Sequence, residues 1–338
     1  MSAPVVPART PRAILDTSDF ARDMAACLGS RPHEISPKYF YDERGSRLFD
    51  RICELPEYYV TRTELGIFQR DIARMADAIG PDAEVIEFGA GSLTKARLLL
   101  RALQRPRRYV AVDISAEHLQ AATASLQQEF PEVEIIPVVG DFTNMAGLPA
   151  LPRPRPGNRR IGFFPGSTLG NLGLGDARRF LSDASTLLAG GGLLIGIDLV
   201  KLPAVLHSAY NDAAGVTAAF NRNLLARANR ELGTDFDVEA YAHHAFYHPG
   251  LQRIEMHLVC MTAQRVRLGE REFAIRAGDS LHTENSQKYT LDGFRSLAAA
   301  SGFSPGAVWC DPQQLFSVHW LVSDHQRAST SPHHLENP

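Results

Sequence analysis

Acids, glycines and an aromatic ring in this chain have the spacing of a nucleotide cradle. Glu87-x-Gly89-x-Gly91 closes a short apolar run, Val85, Ile86 and Phe88. Small residues at such a point let the backbone turn sharply and approach a ligand closely. Asp113 ends a second run about twenty residues later, where an acid accepts hydrogen bonds from ribose hydroxyls. Gly140-Asp141-Phe142 ends a third run and offers an acid and an aromatic to an adenine. Outside this cradle, Tyr39, Tyr41, Tyr58 and Tyr59 lie in two stretches rich in charge. They read either as amphipathic tyrosines packing a loop on the core or as phenols lining a polar small-molecule pocket.

These residues need strands and helices to hold them. A helix is expected over 18–28, capped by Ser18 or Asp19, and another over 63–79. Strands at 85–88, 107–113, 133–139, 161–164 and 192–200 alternate with helices at 93–103, 116–130 and 176–188. That rhythm predicts a doubly wound parallel sheet with right-handed crossovers and a crevice at its carboxyl edge. Residues 151–160, rich in proline and arginine, form a surface loop. After Lys201 the pattern changes to a mostly helical stretch, 204–231, and then to antiparallel strands at 242–247, 253–261 and 272–275. The first rhythm returns with a helix at 291–300 and strands at 306–310 and 315–322. About ninety residues are too many for a loop, so the middle section reads as an inserted subdomain.

Composition narrows the class. A net charge of −3 leaves no electrostatic footprint for nucleic acid or an anionic membrane. No apolar run approaches a membrane span, and the first residues lack the apolar region of a signal peptide. Cys27, Cys53, Cys260 and Cys310 lie far apart with no C-x-x-C pair, which points to a reducing cytoplasm and away from zinc or disulfides. The histidines, among them His207, His243, His244, His248, His257, His282 and His319, read as surface or packing residues, and His333-His334 as part of a loose tail. No metal is expected, and a monomer is.

The cofactor class follows from the glycine turn. A dinucleotide fingerprint wants a small third residue where this chain has Thr94. The acid inside the strand, Glu87, looks instead like the first motif of S-adenosylmethionine (SAM) methyltransferases. Longer stretches are more specific: FYDERGSRLFDRICELPEYYVTRTE from Phe40, FPGSTLGNL from Phe164, AGVTAAFNRN from Ala214 and TENSQKY from Thr283. On these the chain, from about Pro37 to Val322, resembles the SAM-dependent L-histidine Nα-methyltransferases of ergothioneine biosynthesis (the EgtD family).

The resemblance implies an α/β fold: a seven-stranded Rossmann-like class I SAM methyltransferase core with an inserted α+β substrate-binding subdomain. Residues 63–200 and 289–326 would form the first, 15–62 and 201–288 the second, with a flexible arm at 1–14 and a tail at 327–338. It also implies that Gly89 and Lys95 belong to the SAM loop, Asp113 to the ribose site, and Asp141 and Phe142 to the adenine site. Tyr58 and Tyr210 would bind the carboxylate of L-histidine, and Asn171 and Tyr41 would orient its α-amine. Glu284 and Ser286 would grip the imidazole, with Met256 packed beside it. The chemistry agrees, because a carboxylate accepts a ring N–H and a hydroxyl can serve the other nitrogen. Lys288, on the same strand face, is expected as a surface ion-pair partner of Glu284. Asn285 and Gln287 depart from the family pattern and bear on side-chain selectivity.

Three methyl transfers to the amine, giving hercynine, are the implied reaction, with the proton acceptor open between water and a phenol. A relative acting on another aromatic amino acid or amine is the rival; it would leave Glu284 facing an apolar ring without a partner. A nicotinamide dehydrogenase is disfavoured by Thr94 and by the lack of a catalytic His/Lys pair, and a non-catalytic SAM-binding scaffold by the presence of every substrate residue.

Overall fold

The computed structural model describes residues 19–325 except 92 and 156. The arm at 1–14, the cap at Ser18 and the tail at 327–338 with His333 and His334 lie outside the described residues. Helices α1 (Asp19–Gly29), α2 (Glu43–Glu54) and α3 (Tyr59–Ile79) come first, with the two-residue strand β1 (His33–Glu34) after α1. The alternating section runs β2 (Ala83–Phe88), α4 (Thr94–Ala102), β3 (Arg108–Asp113), α5 (Ala116–Glu129), β4 (Glu134–Val139), β5 (Arg159–Phe164), α6 (Leu174–Leu187) and β6 (Gly192–Asp198). Then come α7 (Pro203–Tyr210), α8 (Val216–Leu232), β7 (Tyr241–His248), β8 (Arg253–Cys260), β9 (Gln264–Leu268), β10 (Arg271–Ile275) and β11 (Ser280–Gln287). The last elements are α9 (Leu291–Ala299), β12 (Phe303–Cys310) and β13 (Phe316–Ser323).

Seven strands form one sheet in the order β12-β13-β6-β5-β2-β3-β4. The five from β6 to β4 are parallel, whereas β13 runs antiparallel to both β6 and β12. The expected parallel sheet is therefore mixed at one edge, because a short turn joins β12 to β13 and cannot carry a parallel crossover. The chain leaves the centre from β2 through β3 to β4 and returns through β5 to β6. That reversal places the switch point, where such sheets bind ligands, at the carboxyl ends of β2 and β5.

Alternation along the central strands feeds two cores. Val85, Tyr109, Ile161 and Phe163 pack with Ile67, Phe68 and Met75 of α3 on one face. Ile86, Val110, Val112 and Phe164 pack with Phe180 and Leu181 of α6 on the other. The first core continues without a break into Phe40, Phe220, Leu224, Ile254 and Met256. Those residues belong to α8, the segment before α2, and a second sheet of order β1-β11-β8-β7. Here β1, from the N-terminal segment, lies parallel to β11 and joins that segment to the middle section.

Helix α3 begins at Tyr59, four residues before the expected start at Thr63. Its first turn, Tyr59-Val60-Thr61, is aromatic and β-branched and so carries little helix signal of its own. Tertiary packing supplies what propensity lacks: Tyr59 and Val60 are buried.

Candidate active site

One cavity of about 1530 Å³ opens at the switch point and runs beneath the second sheet. A site for one drug-sized molecule spans about 300–1,000 Å³, so this volume accommodates two ligands side by side. All twelve residues assigned a role from the sequence line it: Tyr41, Tyr58, Gly89, Lys95, Asp113, Asp141, Phe142, Asn171, Tyr210, Met256, Glu284 and Ser286.

At the carboxyl ends of β2, β3 and β4 the main chain does most of the shaping. Gly89 and Gly91 take positive φ values of 72° and 51°. A Cβ at Gly89 would lie 3.3 Å from the Phe142 ring, so ring and turn close on each other only because that atom is missing. Asp113 accepts from the Gly91 amide at 3.2 Å and from the Ser115 amide at 2.9 Å, which fixes its carboxylate at the rim of the turn. Burial opposes ionisation of Asp141, but hydrogen bonds from Thr143 and the charge of Lys38 outweigh it and hold its pKa below the ordinary value. Phe142 rests edge-on against Phe164 and Phe180.

Lys95 forms an ion pair with Glu64, a fully buried acid on α3. Glu64 also accepts from the Gly166 amide at 2.9 Å and 3.0 Å, so it ties the loop after β5 to the glycine turn. Sequence reasoning gave Glu64 no role. Glu87, the acid inside β2, is buried and accepts from the Tyr109 hydroxyl; burial pushes its pKa up to about 8.

The four N-terminal tyrosines divide between the two readings. Tyr39 donates to Asp23 and Tyr59 to Asp198, as packing tyrosines do. Tyr41 and Tyr58 line the cavity, and neither hydroxyl has a hydrogen-bond partner among the described residues. Tyr41 is held through its neighbours. Its carbonyl accepts from Ser115 at 3.0 Å, while Asp42 caps α2 at the Gly45 amide and accepts from Asn223 of α8. Phe49 and Phe220 pack edge-on or tilted around Tyr41, and Tyr58 meets Tyr210 edge-on. Burial raises the pKa of Tyr41 and Tyr58 well above 10 and that of Tyr210 as well, so all three stay protonated at neutral pH.

On β11 and β8, Glu284 pairs across the strands with Met256, next to a bulge between His282 and Glu284. The Glu284 carboxylate is buried and accepts no hydrogen bond from any described residue. Burial raises its pKa to about 7, against a partial pull downward from Lys288. Asn171, in a short 3-10 turn after β5, also leaves its side-chain amide without a hydrogen-bond partner among the described residues. The loop holding it presses on β11 at Gly170, where a Cβ would meet the Gln287 carbonyl oxygen at 2.9 Å.

Lys288 corrects an expectation. It is 1% exposed and pairs not with Glu284 at the surface but with Asp198 at 2.7 Å. It also donates to Ser286 Oγ at 2.7 Å and to the Tyr210 hydroxyl at 3.3 Å. Asp198 accepts in turn from Lys201 at 2.6 Å and from Tyr59 at 2.7 Å. Desolvation lowers Lys201 to about 8. Tyr210, for its part, donates to Ser286 at 2.7 Å. Of the two family departures, Asn285 lines the cavity, whereas Gln287 turns away and donates to the Leu251 carbonyl at 2.8 Å.

The histidines are less scattered than the sequence suggests. Strand register sets His244, His257 and His282 in one row, with Glu34 beyond. The potential ligand atoms of Glu255, His257 and His282 lie within 4.8 Å of one another. The His257 and His282 rings, however, stack at 4.7 Å and 10°, which aims their nitrogens along parallel planes, and Glu255 is paired with Arg253 at 2.7 Å.

Known proteins share this arrangement of sequence. The family model for SAM-dependent, histidine-specific methyltransferases matches residues 20–323. A histidine N-alpha-methyltransferase of Mycolicibacterium smegmatis is 43% identical over 308 residues, covering 89% of this chain and 94% of that protein. Its counterpart from Mycobacterium tuberculosis is 42% identical over 296 residues, covering 86% and 90%. Ergothioneine biosynthesis protein 1 of Neurospora crassa is 30% identical over 320 residues, which span 89% of this chain and 34% of that longer protein.

Proposed function

The chain belongs to the SAM-dependent, histidine-specific methyltransferases, and on that premise we propose that it methylates the α-amino group of L-histidine. Three transfers give the trimethylbetaine hercynine, the first step towards ergothioneine. One observation supports this most: four polar groups without a hydrogen-bond partner among the described residues, on Tyr41, Tyr58, Asn171 and Glu284, line the same cavity as the glycine turn. Tyr58 and Glu284 are buried and Tyr41 and Asn171 half-buried; polar groups so enclosed are normally paired, so a set left open together suits a ligand.

The residues present fit SAM. The cradle at Gly89 is one a Cβ would fill, Asp113 offers lone pairs for ribose hydroxyls, and Asp141 and Phe142 flank the place for an adenine. When bound, SAM supplies an electrophilic methyl group on a positively charged sulfur, so the protein has to position the acceptor more than to supply acid. Asn171 and Tyr41 aim the amine. Holding a nucleophile at about 3–3.5 Å in the right direction supplies much of the acceleration in such transfers. Tyr58 and Tyr210 take the carboxylate as neutral donors. Their raised pKa values keep both phenols protonated at neutral pH, which favours water over phenolate as the proton acceptor. The aromatic wall of Tyr41, Phe49 and Phe220 favours a cationic amine as it gains methyl groups.

Glu284 and Ser286 receive the imidazole, with Met256 against its face. A site built to hydrogen-bond a group rejects analogues that lack it, because its buried partner is left bare. Residues 15–62 and 201–288 serve as the substrate-binding unit, and 63–200 and 289–326 as the SAM unit. The four free cysteines support a reducing, cytoplasmic setting, and we take the working form to be a monomer. No helix among the described residues is long and apolar enough to cross a membrane.

The test is to incubate the purified chain with SAM and an equimolar mixture of the common amino acids and to read masses. Trimethylated histidine alone is the expected result. Methylated tryptophan or tyrosine would keep the cofactor and overturn the substrate.

A further inference from the structure

Two hydroxyls, those of Ser286 and Tyr210, share one buried ammonium. They lie 2.7 Å apart, and Lys288 Nζ is 2.7 Å from the first and 3.3 Å from the second. We propose that Lys288 is a positioning residue that fixes the polarity of the ring-binding subsite by turning both hydroxyls into donors. This rests on the histidine reading above and adds to it the form of the ring that is taken.

The argument is an accounting of protons. An ammonium has three protons and no lone pair, so both oxygens can only accept from it. Its third proton goes to Asp198 at 2.7 Å, which leaves none for a ligand. Each hydroxyl keeps a single proton. The phenol, the stronger acid, donates to the alkyl oxygen, and Ser286 then accepts twice. Both its lone pairs are used, and its proton has no acceptor among the described residues. If a bound carboxylate draws the Tyr210 proton away, the Ser286 oxygen still accepts from the ammonium. Its proton is then shared between the ring and the Tyr210 oxygen 2.7 Å away, so its donor role towards the ring is strongest while Tyr210 donates to it.

Glu284, two residues earlier on β11, offers lone pairs when ionised. The subsite therefore presents an acceptor at one point and a donor at the other. A neutral imidazole matches it in one tautomer, with its N–H to Glu284 and its bare nitrogen to Ser286. A ring with N–H at both nitrogens, or with C–H in place of the bare nitrogen, leaves the serine proton unpaired. Without the ammonium, Ser286 can rotate and accept, and the distinction fades.

The experiment is a cycle between enzyme and ligand. Calorimetry on enzyme saturated with S-adenosylhomocysteine measures the binding of histidine and of 2- and 3-pyrrolylalanine. Each pyrrole keeps a ring N–H but carries C–H where imidazole has its bare nitrogen. Wild type is expected to prefer histidine to the better pyrrole by about tenfold or more. In Lys288→Met that preference should shrink at least about fivefold, since the serine is no longer held as a donor. An equal loss for both ligands, with the preference intact, would show Lys288 to be merely structural and overturn the proposal. Should Lys288→Met unfold because the buried cluster with Asp198 is broken, the triple variant Asp198→Asn, Lys201→Met and Lys288→Met removes all three buried charges and carries the same comparison. A wild-type enzyme that binds S-adenosylhomocysteine but takes neither ring overturns the histidine reading and this role together. Histidine methylation with an unchanged preference overturns only the role of Lys288.

Discussion

At the glycine-turn end of the cavity, where we propose that SAM binds, the main chain makes the shape: two glycines at positive φ, and amides of Gly91 and Ser115 that fix Asp113. At the other end, proposed for histidine, the shape comes from side chains carried by separate segments, among them Tyr41, Tyr58, Asn171, Tyr210 and the row on β11. The acids show the same contrast. Asp141 and Glu284 both suffer desolvation, yet Asp141 has Thr143 and Lys38 to keep it ionised, while Glu284 has only the distant pull of Lys288 and rises to about 7. A common cofactor can be met by a finished surface. A selective substrate is met by groups left unsatisfied until it arrives, and that readiness has a cost in stability.

If the halves are as separable as this contrast implies, Glu284→Leu should lower kcat/KM for histidine by about 100-fold, the loss of a charged hydrogen bond. SAM affinity, by calorimetry, should stay within about twofold. A parallel loss of SAM affinity would break the contrast.

The cost to stability sharpens it next. A carboxyl raised to about 7 in the fold keeps a proton that the unfolded chain loses near its ordinary pKa of about 4.3. Between those values the folded state holds more protons, so stability falls as pH rises from about 4.3 to 7, and the deficit is complete above. Without histidine, Glu284→Gln should be more stable than wild type at pH 8 by roughly 3–4 kcal/mol, and the gap should close by pH 4. Urea titrations at both pH values measure it, and an equal gap at pH 4 would count against the raised pKa.

A smaller effect is expected from Gly89→Ala. Left-handed φ costs an alanine about 1–2 kcal/mol, and its methyl presses on Phe142, so SAM affinity should drop about tenfold. The least is expected from Gln287→Ala. Its amide serves a surface turn, so melting should shift by no more than about 0.5 kcal/mol and the amino-acid preference should not change. A changed preference would place Gln287 within the site after all.

Legibility in the sequence followed the same division. The turn at Gly89, Asp113 at its strand tip and Asp141-Phe142 were readable from spacing, because local geometry makes that half. Spacing alone does not tell Glu284 from an exposed strand residue, and the resemblance was needed to give it a ligand. Lys288 was misplaced to the surface for a physical reason: lysine is almost never fully buried unless paired. Its partner, Asp198, is ninety positions away on another sheet, beyond any periodicity. The row of His244, His257 and His282 was invisible for a similar reason, since it exists only through the register of β7, β8 and β11. The antiparallel edge at β13 was a matter of connection length, which strand patterns do not report.

Gly170, pressed against the backbone at Gln287, joins the loop of Asn171 to the strand of Glu284 and Ser286 with no side chain between them. The part proposed to aim the amine and the part proposed to hold the ring thus cannot slide past each other, and on that proposal the enzyme works as a ruler. An amino acid whose ring sits one methylene further from its amine would fit either end but not both. The reacting nitrogen would land about 1 Å off line, a displacement that costs such transfers about a hundredfold. Side-chain length would then be read as strictly as side-chain chemistry, by two stretches of backbone in contact.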